Sequence, residues 1–460
     1  MAGQETVGPF AGVVGLPLSG AVPEVVPVRR TRREQPRVAD VAAATQRALQ
    51  PLRASIRPGA RIAVTAGSRG ISDIAGVVTA AVRWLTDAGA EPFVVPAMGS
   101  HGGATAEGQR AVLADLGITE ESVGAPVRAT MDTVEVGRLA DGTPVHHDAL
   151  AAAADGILLV NRVKPHTDFH GAVESGLAKI LAIGLGNHRG AQVLHAGGVA
   201  ALGGAIREAA DVVLARGRVL GGLGIVENAH EETAAVELVP ADQVGREAET
   251  TLLRRAGSLL GLLPFTDLDV LVVDEMGKDK SGTGMDTNVL GRCWVPGVPE
   301  FTEPEVRVVT VHGLSAASHG NAAGIGLADL APARLLDEID VRATYLNSIT
   351  SGTGGLRRSR LPMLLEDDRA VLRAAVQMCG RRDQAAVRLA RVRDTLSPDE
   401  LLVSPALLDE VDGHAELDVV GPALRLTTDD GRLSGWPATT ASGPPATRST
   451  TSDTATKEHA

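Results

Sequence analysis

Aromatic residues are nearly missing from this 460-residue chain: they make up 2% of it, with a single tyrosine. Stacking platforms for bases are therefore scarce. The core has to be built from Ala, Val, Leu and Ile, as a hydrophobic content of 44% and a mean hydropathy of +0.08 allow. Cysteine is almost as rare. Cys293 and Cys379 stand far apart and outside any CxxC spacing, which excludes a disulfide framework and a cysteine-rich zinc or iron–sulfur site and suits a reducing cytosol. Positive charge is in deficit, and a formal net charge of -12 opposes nucleic acid and anionic membrane as bulk partners. No stretch approaches the ~18 apolar residues needed to span a bilayer. The first thirty residues hold Glu5 and Glu24 and no basic cluster ahead of an apolar core, unlike a signal peptide. A soluble, cytoplasmic protein is expected. Neither standard nucleotide fingerprint, G-x-G-x-x-G or G-x-x-x-x-G-K-[ST], is present, nor any repeat of solenoid period.

What the chain does contain is alternation. Short apolar runs at Arg61–Ala66, Pro92–Pro96, Gly156–Val163, Val219–Val226, Leu268–Asp274 and Val306–Val311 read as strands. Helical patterns at Ile74–Ala88, Thr105–Leu116, Val199–Arg216 and Ala241–Leu260 lie between them. This order predicts an α/β protein with largely parallel sheets. Gly261–Asp267, with Pro264, separates two α/β domains, 1–264 and 265–428, with an active-site cleft between them. Helices at Glu366–Cys379 and Arg382–Val392 close the second domain, and Pro398–Val411 packs back on the first. The polar stretch 429–460 is too poor in apolar residues to offset its ordering entropy and is expected to be disordered.

Chemistry-bearing residues gather where strands end in glycine-rich turns, which is where ligands collect on α/β sheets. The turn Gly67-Ser68-Arg69 after the first run suits a phosphate, through backbone N–H groups and a guanidinium; an ordinary turn with a surface arginine is the plainer reading. His101, in Gly-Ser-His-Gly-Gly, stands at a second strand end. His146-His147-Asp148 reads as surface. Four of the 12 histidines, at 166, 170, 188 and 195, fall within thirty residues after the strand 156–163. His166, His170 and Glu174 offer an i, i+4, i+8 zinc series, which Gly171 and the Pro165 opening weaken. Lys179 lies among Leu177, Ile180, Leu181 and Ile183, where an ammonium is costly unless paired or chemically used; a lysine snorkelling to solvent is the alternative. The segment 274–292 reads as a binding loop with Lys278, Lys280 and Arg292 as carboxylate partners, while Asp274, Glu275 and Asp286 could take a hard cation. The turns from Ser318 and from Thr350 read as further walls of the cleft.

Taken in order, Gly-Ser-Arg at 67–69, Gly-Ser-His at 99–101, Pro-His at 165–166, Ser-Gly-x-x-Lys at 175–179 and His195 resemble the nickel-pincer lactate racemase family. The resemblance implies a racemase or epimerase that inverts C2 of a 2-hydroxy acid. Its nickel-pincer pyridinium mononucleotide would be linked to Lys179, with His195 on the nickel and Ser68, Arg69 and Ser175 in the cofactor-binding set. His101 and His166 would be the acid/base pair, with His170 in place of His166 as the alternative, because the histidine-to-lysine spacing is longer than usual. Lys278, Lys280 and Arg292 would hold the substrate carboxylate, and the host's cofactor-synthesis proteins would be partners. Ala66-Gly-Ser-Arg69 departs from the family's Asp-x-Thr-Arg turn, and Ala178 stands where an arginine usually precedes the lysine. Competing readings are a 2-hydroxy-acid oxidoreductase, which needs the dinucleotide fingerprint this chain lacks, a non-catalytic metal- or metabolite-binding protein on the same scaffold and, last, a zinc hydrolase.

Overall fold

The computed structural model describes residues 15–437, except 33, 34, 68, 69 and 397. Two sheets organise it. The first has five strands in the order Glu91–Pro96, Arg61–Ala66, Gly156–Arg162, Val219–Glu227, Thr233–Pro240. The first four are parallel and the last is antiparallel to its neighbour. Alternation along the strands divides the core: Ile62, Val64 and Ala66 pack with the helix Ile74–Asp87, whereas Ala63, Ile157 and Leu159 pack with the helix Val199–Leu214 and the segment around Lys179. After Arg61–Ala66 the chain crosses to one side for Glu91–Pro96 and later returns to the other for Gly156–Arg162. The carboxyl ends of 61–66 and 156–162 thus flank a topological switch point, where open parallel sheets leave a crevice for ligands. The Asn161 side chain packs closely on the Gly67 backbone there, since a Cβ on Gly67 would lie 2.9 Å from Asn161 Oδ1.

The second sheet has eight strands, ordered Met363–Leu365, Leu330–Pro332, Glu305–Val311, Asp267–Val273, Leu389–Val392, Glu400–Val403, Val26–Arg30, Leu417–Val419. Its first five are parallel and the remaining pairings antiparallel. The α/β class with largely parallel sheets is therefore observed. Among the described residues no helix is long and apolar enough to cross a membrane.

Three expectations differ from the structure. The stretch 382–392 is not a helix: a short 3-10 turn at Gln384–Ala386 leads into the strand Leu389–Val392, whose residues are all buried beside Asp267–Val273. Tertiary pairing overrides the helical propensity of its Ala and Arg residues. The segment expected on the first domain instead supplies Glu400–Val403, which pairs with Leu389–Val392 and with Val26–Arg30. Residues 26–30 therefore belong to the second sheet, so the first body runs from about residue 38 and the chain's start crosses over. Finally, 429–437 is ordered by contact: Trp436 Nε1 donates to Asp274 Oδ2 at 2.6 Å, and the guanidinium groups of Arg391 and Arg393 lie over its ring at 5.2 and 4.4 Å. The remainder of the tail, 438–460, lies outside the described residues.

Candidate functional site

The strand Gly156–Arg162 delivers the chain to the switch point, and the loop that follows folds back on itself. Lys164 N–H donates to Ser175 O at 3.0 Å, closing the loop, and Asn161 Nδ2 donates to Gly176 O at 3.0 Å. Glu174 organises its interior by accepting from His166 N–H at 2.6 Å and Gly171 N–H at 2.8 Å, with His170 Nδ1 3.3 Å away. From Gly176 a helical turn, Leu177–Lys179, runs into one π turn, Ile180–Gly184, and then the helix Asn187–His195. Single π turns inside helices are frequent at functional sites.

Glu249, 72 positions along the chain, starts this helix. Its buried carboxylate accepts from Leu177 N–H at 2.5 Å, Ala178 N–H at 3.1 Å and Gly245 N–H at 2.7 Å. Burial raises its pKa, and these amides draw it back in part. A Cβ on Gly176 would stand 2.2 Å from Glu249 Oε1. Gly176→Ala is therefore expected to displace the carboxylate and strand buried amides, lowering stability by ~1–3 kcal/mol; a thermal midpoint equal to that of the parent chain would refute the role given to Glu249.

Lys179 Nζ lies 2.7 Å from His166 Nε2, and Asp168 N–H donates to His166 Nδ1 at 3.0 Å. The His166 ring stacks on Phe169 at 4.6 Å. Asp168 is tied to the second body by Arg358, whose Nη1 donates to it at 2.6 Å and whose Nη2 donates to Thr167 O at 3.2 Å. Burial would raise the Asp168 carboxyl, but Arg358, His166 and Lys179 outweigh it and hold it down at about 2. Thr287 Oγ1 also donates to Thr167 O at 2.7 Å, so the loop carrying His166 is seated against the second body at two points.

The turn bearing His101 docks on the same helix. Gly99 N–H donates to Gly184 O at 3.0 Å, and His188 Nδ1 pairs with Ser100 Oγ at 3.1 Å. Gly184 is obligatory, because a Cβ there would meet Ala97 O at 2.5 Å. His195, at the helix end and exposed, donates Nδ1–H to Ala191 O at 2.6 Å, which leaves the Nε2 lone pair available.

The structure thus brings His166, Lys179 and Ser175 into one loop, with His101 and His195 on elements joined to it. His170 stands apart from Lys179: its ring is exposed and stacks on Phe301 at 4.1 Å. Ser68 and Arg69 lie outside the described residues. Lys278 Nζ is held by Gly282 O at 2.7 Å and Asn347 Oδ1 at 3.0 Å, with its backbone N–H on Ser318 Oγ. Lys280 is spent on Asp279 at 3.0 Å, Asp394 at 3.5 Å and Glu275 at 3.6 Å. Arg292 is buried on Asp329, Val306 O and Arg307 O, a structural post rather than a wall of the cleft. The carboxylates suggested for a hard cation are dispersed, with Asp274 clamped by Arg391 and Trp436 and Asp286 capping the helix Thr287–Leu290. Among the described residues no three His, Cys, Asp or Glu side chains gather as a metal cage, so the 166, 170, 174 series forms no zinc site.

His146, His147 and Asp148, expected at the surface, are buried at 5%, 2% and 2% exposure. They sit on the strand Pro144–Asp148, which the helices Asn187–His195 and Val199–Leu214 cover. Asp148 Oδ2 accepts from Asn187 Nδ2 at 2.9 Å, holding Asn187 at a φ of 52° where the helix toward His195 begins. Neither ring nitrogen of His147 has a hydrogen-bond partner, and burial pushes its pKa down to about 4 from 6.5. The unfolded chain therefore takes up this proton first as pH falls. Stability from a neutral His147 is complete above about pH 6.5 and lost toward pH 4, roughly 3 kcal/mol over the interval. Urea midpoints measured across that range should fall, and His147→Phe should flatten the slope; an unchanged slope would show that His147 is not the group responsible.

Comparison with known proteins gives two findings. Residues 21–202 match the family model described as the lactate racemase N-terminal domain. Among solved structures, the lactate racemase apoprotein from Thermoanaerobacterium thermosaccharolyticum aligns with a TM-score of 0.43 at 11% identity, covering 81% of this chain and 89% of that one. No match was found among curated proteins.

Proposed function

We propose, from the match of residues 21–202 to the model described as the lactate racemase N-terminal domain, that this chain is a racemase or epimerase that inverts C2 of a 2-hydroxy acid with a nickel-pincer pyridinium mononucleotide attached to Lys179. The observation that carries this reading is the lysine amine placed 2.7 Å from a histidine at the switch point of the parallel sheet. The residues fit the group. One imidazole with its far nitrogen already committed, and no protein-built cage among the described residues, suit a metal that arrives in its own organic chelate. Lys179 would carry the covalent link, His195 would donate Nε2 to nickel, and Ser175 with Ser68 and Arg69 would hold the mononucleotide. When bound, the group supplies a reversible acceptor for the C2 hydride.

The protein's own residues do the rest. His166, oriented through Nδ1 by the Asp168 amide, takes or returns the hydroxyl proton for one enantiomer. His101, on a separate strand end, does so from the other side. Two bases are required because the two enantiomers present the hydroxyl in different directions. Lys278, at the carboxyl end of Asp267–Val273, anchors the substrate carboxylate so that the planar 2-oxo acid keeps its orientation. Lys280, already among three carboxylates, is the weaker candidate. The cofactor would come from the host's synthesis proteins, and the reaction would run in the cytoplasm.

The test is to make the protein in a host that carries the pincer-synthesis enzymes, then measure intact mass, nickel content and racemisation of a panel of 2-hydroxy acids. Stoichiometric nickel, a sulfur-rich adduct on Lys179 and inversion of one substrate support the reading. An unmodified Lys179 without nickel moves the non-catalytic binding protein to the front.

A further inference from the structure

Trp436, one of three tryptophans in 460 residues, stands in a polar stretch of the chain, yet it is held in place on three sides. Its Nε1–H donates to Asp274 Oδ2 at 2.6 Å, and the guanidinium groups of Arg391 and Arg393 lie over its ring at 5.2 and 4.4 Å. Arg391 completes the cluster. It is 2% exposed, donates to the Asp274 carboxylate from Nε at 2.6 Å and Nη2 at 2.8 Å, and donates from Nη1 to Ser434 O at 2.9 Å. The tail arrives here because it is docked just upstream, where Leu433 N–H donates to Asp368 Oδ2 at 2.9 Å and Arg369 N–H to Gly431 O at 3.0 Å.

All three residues that Trp436 meets belong to the root of the 274–292 loop. Asp274 is the first residue of that loop, and Arg391 and Arg393 open the segment 391–395 on which it rests. Glu275 N–H donates to Arg393 O at 2.9 Å, Lys280 Nζ lies 3.5 Å from Asp394, and Asp286 N–H donates to Thr395 Oγ1 at 2.8 Å. The loop's other side leans on 313–318, with Met276 N–H on Gly313 O at 3.0 Å and Lys278 N–H on Ser318 Oγ at 2.8 Å. We infer that Trp436 is a positioning residue: by clamping Asp274, Arg391 and Arg393 it sets the 274–292 loop, and with it Lys278, at the carboxyl end of the second sheet.

The physics of the clamp separates placement from folding. Asp274 is 19% exposed, so its bonds are little screened, and a hydrogen bond to a carboxylate is both strong and directional. Trp436→Phe removes the N–H alone. The Asp274 charge stays answered by both Arg391 bonds, and an aromatic face remains for the two guanidinium groups. What changes is the direction in which the root of the loop is held. Lys278 lies four residues beyond that root, where a small displacement is enough to weaken the hold on a substrate carboxylate.

The inference rests on the proposed function only for the role of Lys278, and the hold on the loop is tested without it. Hydrogen exchange is followed by peptide mass spectrometry in the full-length apoprotein and in Trp436→Phe. The amides of Gly277, Lys280, Ser281 and Gly284 all bond within the loop, and their exchange should quicken by about tenfold or more in the variant. Peptides covering Arg61–Ala66 and Gly156–Arg162 should exchange as in the parent, which shows that the variant is folded. In nickel-loaded protein, KM for the 2-hydroxy acid should rise by about fivefold or more with kcat within about twofold, because the carboxylate anchor is displaced and the reacting groups are not. A merely structural tryptophan would lower the folded fraction, and with it kcat, and leave KM alone. Loop exchange equal to the parent's, exchange that quickens equally throughout the second sheet, or a fall in kcat at constant KM would overturn the inference. A parent chain that inverts no 2-hydroxy acid would remove the proposed function, and the exchange rates alone would then decide whether Trp436 sets the loop.

Discussion

Lys179→Arg is expected to emerge from a cofactor-making host without added mass or nickel and with racemisation reduced by at least about 10^3-fold, the scale on which removing a covalent anchor acts. The substitution is instructive because it keeps the length and apolar stem of the side chain. Leu177, Ala178, Ile180 and Leu181 hold the surrounding turn in the core at 4% exposure or less, so the fold should tolerate the change and thermal stability should stay close to that of the parent. What disappears is the amine that stands 2.7 Å from His166 Nε2. A guanidinium does not lose its proton in a protein and cannot be acylated in its place. Full activity in Lys179→Arg would show that the group binds without a covalent link, and a loss of activity accompanied by unfolding would mean that the lysine is structural. Intact mass, circular dichroism and the rate of inversion separate the three outcomes.

The second large effect belongs to Arg358→Met. Arg358 is buried and reaches from the second body to Asp168 Oδ1, Thr167 O and Cys293 O. Removing it strands a carboxylate that is 24% exposed, one residue beyond Thr167 and two beyond His166. Breaking a buried pair from one side costs roughly 3–5 kcal/mol, which should appear as a large drop in the urea midpoint. The Asp168 carboxyl, now held at about 2, should rise, and the parent chain's acid profile carries the matching signature. Because the folded value lies below the unfolded one, the contribution of Asp168 is present above about pH 4 and disappears as pH falls toward 2. Arg358→Met with Asp168→Asn should recover much of the loss, since no charge is then left unanswered. A single variant costing under ~1 kcal/mol would mean that solvent already screens the pair. Since Arg358 joins the His166 loop to the second body, the variant should also weaken the positioning of His166, with kcat falling even at saturating substrate.

Local pattern carried the sequence reading where local pattern is what folds. The strand Arg61–Ala66 was legible to the residue because the five apolar or small side chains after Arg61, ending at Gly67, are buried on both faces of a parallel sheet. Lys179 stood out because a charge in an apolar run is expensive, and the regular interval to His195 needs only one continuous helical path. The same local logic misread 382–392, where Ala and Arg favour a helix until a neighbouring strand offers its edge.

Glu249, Arg358 and the buried His147 were not legible, because nothing near them in the sequence announces their partners. Glu249 meets the Lys179 turn from 72 residues away, Arg358 meets Asp168 from 190, and Val26–Arg30 pairs with a strand more than 370 residues later. Asp168 could have been noticed, as the acidic member of Lys-Pro-His-Thr-Asp, but its pairing could not. The sequence by itself determined the α/β class and the glycine-rich strand ends, and it singled out the lysine and histidines of the candidate site, because periodicity and the cost of burying charge act over a few residues. Only the tertiary structure decided which carboxylates cap and which arginines clamp, that Lys280 and Arg292 are already committed, and that His166 Nε2 stands against Lys179 Nζ. Those are outcomes of desolvation and hydrogen-bond pairing between segments that meet only once the two sheets have formed.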